Sequence, residues 1–303
     1  MQENSNEVQR QFYFMAGLPR SGSSLLSTIL NQNPKIFSGP SSPVTGIMLT
    51  LEQALMRDEL YLAYPKEQQA WELISSVIHH YYSDVPHPII IDKNRSWVDR
   101  VHYIEGYIRT EPKIICPVRN IDEILASFIS MIKRNPFEVN GKINFIDEML
   151  IKSGIPLTDD ARCEFLASDA GILGQSYLGI KKLLEAGKEK CLHFVEYDDL
   201  VSNPEETIRK IYEFLDQEYF EHDYSQLTKQ YQENDEAIYG IADMHSVRPV
   251  LKKISTNPSE ILSQRIIDQC KGAEIWRDLY EFEIESTDSV DLDSHSDTKI
   301  IGE

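Results

Sequence analysis

Four short apolar runs, each followed by a stretch of helical periodicity, set the pattern of this chain. FYFMAG ends at Gly17, PIIIID at Asp92, KIICPVR at Arg119 and CLHFVEY at Tyr197. After the first, Leu25, Leu26, Ile29 and Leu30 share one helical face until Asn33 and Pro34 stop it. After the second, Val98, Val101, Ile104 and Ile108 recur at helical spacing, with Ser96 as the N-cap. Asn120 and Glu123 stand at capping-box spacing after the third run, and Asn203 with Pro204 opens a helix after the fourth. Continuous apolar strands alternating with amphipathic helices predict an α/β fold whose parallel sheet is covered on both faces. Further helical stretches, about 66–82 and 160–186, read as insertions at the end of the sheet where ligands bind. The run Ser38 to Pro43 reads as a loop beside that end of the sheet and a candidate for contact with a ligand there.

Composition narrows the function. Hydrophobic residues make up 41% of the 303, enough for a sizeable core, and no repeat of solenoid length occurs. The 49 acidic and 30 basic side chains leave a net charge of −19. That balance disfavours nucleic acid and anionic membranes as partners, but leaves room for a locally basic pocket. With no leader-like or membrane-spanning run, the sequence reads as a soluble, unexported, cytoplasmic protein. Cys116, Cys163, Cys191 and Cys270 are too dispersed for a metal site and read as free thiols; Trp97 and Trp276 read as core. Residues 281–303 carry eight acids and one base, Lys299, so the chain divides into one domain, 1–285, and an acidic tail, 286–303.

The chemistry gathers at three strand ends. Gly17-Leu-Pro-Arg20-Ser21-Gly22-Ser23-Ser24 lies between a strand and a helix. Such a loop turns successive N–H groups and a helix N-terminus toward one point, which makes an anion site. Its spacing is that of a P-loop, but Ser23 stands where a nucleotide triphosphatase has lysine, and Arg20 supplies a cation from elsewhere in the loop. Arg119 at the third strand end, with Ser127 eight residues on, suits a second phosphate; the competing role for Arg119 is a pair with Asp122 or Glu123. Lys93, at the second strand end, projects toward Arg20 if the two strands are neighbours.

Taken in order, GLPRSGSSLL, VRN with Ser127, and EYDDLVSNPEETIRKIYEFL resemble the sulfotransferase family that uses 3′-phosphoadenosine 5′-phosphosulfate (PAPS). The likeness spans roughly 12–215 and is nearer the tyrosylprotein and bacterial branch, with Arg in the loop, than the cytosolic branch with Lys. It implies a P-loop-like three-layer fold and transfer of sulfonate to a hydroxyl or amine, leaving 3′-phosphoadenosine 5′-phosphate (PAP). The resemblance assigns Arg20, Ser21, Gly22, Ser23 and Ser24 to the 5′-phosphosulfate and Arg119 with Ser127 to the 3′-phosphate. It sets Tyr197 beside the nucleotide and Lys93 near the moving sulfonate. HSVRPVLKK, 245–253, stands where a loop closes over the nucleotide, with Arg248 and Lys252 as its contacts, although it lacks the cytosolic branch's RKGxxGDW pattern. Arg20 and Lys93 would stabilise the charge that grows on the departing phosphate, and no metal is required. The acceptor is a small molecule, glycan or peptide.

A general base is missing where the family keeps one: Phe37-Ser-Gly-Pro-Ser-Ser-Pro-Val carries no carboxylate, and Arg95 fills the other position. Glu52, Asp58, His87 and His102 are possible substitutes, and His79 with His80 reads as a helix-surface pair. Two rivals remain. One is a magnesium-dependent kinase using Asp92 and Ser24, the other a nucleotide-binding module without catalysis.

Overall fold

The computed structural model describes residues 10–252 and 257–277, so the acidic tail lies outside the described residues. Five strands, β1 (Gln11–Met15), β2 (Ile36–Ser41), β3 (Ile89–Lys93), β4 (Ile114–Val118) and β5 (Leu192–Glu196), form a parallel sheet in the order β2-β3-β1-β4-β5. Six helices of eight residues or more matter to the site and its support. They are α1 (Ser23–Leu30), α2 (Val44–Arg57), α3 (Glu67–Tyr81), α4 (Ile121–Arg134), α5 (Ile172–Glu185) and α6 (Pro204–Phe214).

Strand alternation builds two cores. Phe12, Phe14, Ile90, Ile114 and Cys116 face α2, α3, α4 and α5 on one side. Tyr13, Met15, Ile89, Ile91 and Ile115 face α1 and α6 on the other. The result is the three-layer α/β sandwich that the apolar runs predict, with Trp97 and Trp276 fully buried and the four cysteines free. Among the described residues, no helix is long and apolar enough to cross a membrane.

Four expectations are corrected. Ser38–Pro43 is not all loop, because residues 36–41 form the edge strand β2, where Pro40 is tolerated because an edge need not donate on both sides. Residues 95–108 are not one helix capped by Ser96. A 3₁₀ turn (Arg95–Asp99), a short α turn (Val101–Tyr103) and a π turn (Ile104–Ile108) follow one another, and the cap is Asn94. Asn94 accepts the Ser96 N–H at 2.9 Å and donates to the Ser42 carbonyl at 2.6 Å, while Trp97 is drawn into the core. Those ties fix the entry and leave no room for a regular first turn. The 160–186 stretch splits into Asp159–Ala167 and α5, because the backbone crosses itself there. A Cβ on Gly171 would lie 2.0 Å from the Phe165 carbonyl oxygen. The helices expected after β4 and β5 form, but Asn120 and Asn203 donate to the carboxylates of Glu123 and Glu206 instead of capping the backbone.

Candidate active site

The sheet has its topological switch at β1, which is flanked by β3 on one side and β4 on the other. The carboxyl ends of these three strands therefore open on one crevice. The 17–24 loop leaves β1, Lys93 ends β3 in register with Met15, and Arg119 follows β4. A cleft of about 580 Å³ lies there.

The loop is shaped by two glycines. A Cβ on Gly17 would stand 2.2 Å from the Pro117 carbonyl oxygen, so only glycine lets β1 run past β4 at this point. Gly22 is the N-cap of α1, with φ of 86°, and a Cβ there would sit 2.9 Å from the Tyr197 ring. Arg20 also has a positive φ, 62°. The first-turn N–H groups of α1 have no acceptor within the helix and open toward the cleft that Ser23 and Ser24 line. Gly22→Ala is expected to cost about 1–3 kcal/mol through the left-handed backbone alone, and to weaken nucleotide binding as Tyr197 is displaced. A thermal melt with a parallel PAP titration checks both.

Around this loop the structure brings together most of the residues singled out in the sequence. Arg20, Gly22, Ser23, Ser24, Lys93, Arg119, Ser127, Tyr197, Arg248 and Lys252 all line the cleft. Ser21 does not: it is 1% exposed, and its hydroxyl turns back toward the Pro19 carbonyl at 3.5 Å, so any contribution is through its backbone. Arg20 donates through Nε to the Ser127 hydroxyl at 3.3 Å and through its terminal nitrogen to the Met244 carbonyl. Burial, then Arg119 and Arg134, lowers its pKa, a strain that a bound anion would relieve. Arg119 pairs with Glu123 at 2.8 Å, one of the partners considered for it, and its guanidinium lies 4.4 Å over the Tyr197 ring. Ser41, at the end of β2, reaches the same cleft.

Lys93 is the most exacting feature. It is 4% exposed, and among the described residues its ammonium meets no hydrogen-bond acceptor; the centroid of the Tyr231 ring lies 5.7 Å away. Burial pushes its pKa down to about 8, with Lys229 and Arg95 adding to the effect against Glu233. An unpaired buried cation at the mouth of an anion site is costly unless a ligand completes it.

Asp92, the neighbour invoked by the kinase reading, is spent within the protein. It is fully buried and accepts from Ser42 at 2.6 Å, Trp97 at 2.6 Å and Tyr82 at 2.8 Å, and it does not line the cleft. Glu52 is held by the hydroxyls of Tyr103 and Tyr107, and Asp58 caps the turn Glu59–Ala63. Neither these nor His87 and His102 reach the cleft. Sequence reasoning did not single out Lys229, Tyr231 and Asp235, or a role for His245; all lie within the largely irregular 216–252 stretch, where periodicity gives no signal.

Seven Lys and Arg side chains and one carboxylate, Asp243, line the cleft of a chain whose net charge is −19. The local basic pocket allowed by the composition is therefore present, and it is built for a ligand with several negative charges.

No curated protein matches the chain in sequence. Similar solved structures include mouse sulfotransferase SULT7A1 complexed with PAP, 12% identical over 91% of this chain and 89% of that one, with a TM-score of 0.51. Another is the sulfotransferase domain of the Synechococcus PCC 7002 olefin synthase, 14% identical over 91% and 98%, with a TM-score of 0.48. At such identity the first likeness shows a shared fold. The model of the sulfotransferase domain matches residues 11–239, from β1 through the strand-end loops and beyond α6, and by that match the chain belongs to the sulfotransferase family.

Proposed function

We propose that the protein transfers the sulfonate of PAPS to a hydroxyl or amine of a small-molecule, glycan or peptide acceptor, leaving PAP. The observation that carries this reading is the row of three adjacent strand ends, in which the 17–24 loop lies between Arg119 on one side and, on the other, a buried Lys93 whose ammonium has no hydrogen-bond acceptor among the described residues. One phosphate-bearing end of the donor falls to the 17–24 loop, the other to Arg119 and Ser127. The PAP complex of mouse SULT7A1, a protein of similar fold, supports the choice of nucleotide.

The residues present fit such a donor. Backbone N–H groups of 21–24, Arg20 and the hydroxyls of Ser23 and Ser24 would hold the 5′ group, and Arg119 with Ser127 the 3′-phosphate. Tyr197, already stacked under Arg119, offers a face beside the nucleotide. Arg248 and Lys252, both exposed on the cleft wall, would meet it from the 245–252 segment. The donor, when bound, supplies an activated sulfonate. Lys93 then acquires the acceptor that its ammonium lacks, and its charge, together with that of Arg20, lies where negative charge grows on the departing phosphate. The cations are fixed before reaction by burial and packing, so little reorganisation is needed.

Calorimetric titration with PAP and with ATP, each with and without magnesium, tests this reading. The expected outcome is binding of PAP that is independent of magnesium and tighter than that of ATP. Magnesium-dependent binding of ATP in preference to PAP would sink it.

A further inference from the structure

The transfer reading leaves the acceptor's proton without a destination, and the cleft wall supplies one. We propose that His245, its ring held by Asp235, is the general base that takes this proton. The inference rests on the sulfonate-transfer reading. Asp235 is 8% exposed and grips His245 twice: Oδ1 lies 2.6 Å from the ring Nδ1, and Oδ2 accepts the His245 backbone N–H at 2.8 Å. A carboxylate can only accept, so Nδ1 must carry a hydrogen, and in the neutral ring the Nε2 lone pair is then the proton acceptor. This is the arrangement by which an acid residue prepares an imidazole for base catalysis.

His245 stands in the right place. It lines the same cleft as Lys93 and Ser23, and it is the one imidazole among the described residues that do so. Lys229 donates to the His245 carbonyl at 2.8 Å and lies 4.9 Å from the Tyr231 ring, which in turn is 5.7 Å from the Lys93 ammonium. On the other side Arg20 donates to the carbonyl of Met244. The backbone at 244–245 is thus tied to the loop cation on one side and to Lys229, beside Tyr231, on the other, while Asp235 holds the ring. The carboxylates nearby serve less well. Glu233 is paired to Lys229 and does not line the cleft, and Asp243, which lines it, has no side-chain hydrogen bond or ion pair among the described residues that would orient it toward a reacting atom.

In the step that follows, the acceptor O–H bond breaks and its proton passes to Nε2. The oxygen's electron pair forms the new bond to sulfur. The bond between sulfur and the donor's phosphate oxygen breaks, its electrons staying on that oxygen, and PAP leaves as the anion. His245, now an imidazolium paired with Asp235, returns its proton to water.

Nitrogen NMR of labelled protein with PAP bound at pH 7.5 is the first test. A neutral His245 with hydrogen on Nδ1 and a bare Nε2 is expected; hydrogen on Nε2, in either a neutral or a charged ring, overturns the proposal. In Asp235→Asn the preference for Nδ1 should be lost, and Asp235→Glu should restore it. An unchanged tautomer in D235N overturns the positioning role of Asp235. The second test follows the breakdown of radiolabelled PAPS to PAP and sulfate, with water in the acceptor's place. His245→Gln, whose amide can still donate to Asp235, is expected to slow it by about 10²- to 10⁴-fold with the Kd for PAP unchanged. Equal rates in the two proteins overturn the role of His245 alone. Failure of the wild-type protein to bind PAP overturns the donor reading beneath it.

Discussion

Lys93→Met is expected to lower sulfonate transfer by about 10²- to 10³-fold, the range for removing one preplaced group that stabilises developing charge, while leaving the fold more stable than before. The two effects have one cause. Lys93 is buried without a hydrogen-bond partner among the described residues, so its charge burdens the empty protein and becomes useful only against an anion. Its pKa of about 8 lies below the 10.5 of an ordinary lysine, so between these values the unfolded chain binds more protons and stability rises with pH. Below pH 8 the whole penalty stands, about 3 kcal/mol at 1.36 kcal/mol per pKa unit. Methionine matches the lysine stem as far as Cε and removes the charged nitrogen. The gain in melting temperature should therefore be largest below pH 8 and fade as the pH approaches 10.5. Thermal melts at several pH values, beside a transfer assay, check both halves. In the wild-type protein, kcat/KM for the donor should fall as pH rises through about 8, since deprotonation removes the cation from the free enzyme. A Lys93→Met protein that is both less stable and fully active would contradict the assignment.

The double change Arg119→Ala with Ser127→Ala is expected to abolish the preference for PAP over adenosine 5′-phosphate, while the fold survives. Hydrogen bonds to charged groups contribute about 1.5–3 kcal/mol each, so losing the guanidinium alone is worth roughly 10- to 100-fold. Binding of the nucleotide without a 3′-phosphate should change little, which separates this loss from general damage. The substitution removes the Glu123 ion pair as well, but that pair sits in the first turn of α4, where a carboxylate is favoured by the helix terminus. Competition titrations with the two nucleotides provide the check. An unchanged preference would move the 3′-phosphate away from β4.

What the sequence made legible follows physical rules that act locally. Ile89 to Ile91 and Ile114 to Cys116 are continuous apolar runs because both faces of a parallel sheet are covered, and their ends carry Lys93 and Arg119 because the sheet opens there. Gly17 and Gly22 mark the loop because backbone crowding and a left-handed turn demand them. Strand β2 was hidden because its pairing with β3 is supplied by the neighbour, not by a run of β-formers, and Ser38, Gly39 and Pro40 read as a loop in isolation. The same limit hid the cover of the site. Tyr231 meets Lys93, and Met244 meets Arg20, across long stretches of chain, and no periodicity records such contacts. The Asp235–His245 pair spans only ten residues, yet neither residue lies on an amphipathic pattern that would have paired them.

The measurement that bears most directly on the central claim is a crystal structure with PAP bound. The account predicts one nucleotide in the cleft, with its 5′-phosphate on the N–H groups of the 17–24 loop beside Lys93 and its 3′-phosphate on Arg119 and Ser127. A nucleotide bound elsewhere, or one in this cleft whose 3′-phosphate touches neither Arg119 nor Ser127, would contradict it.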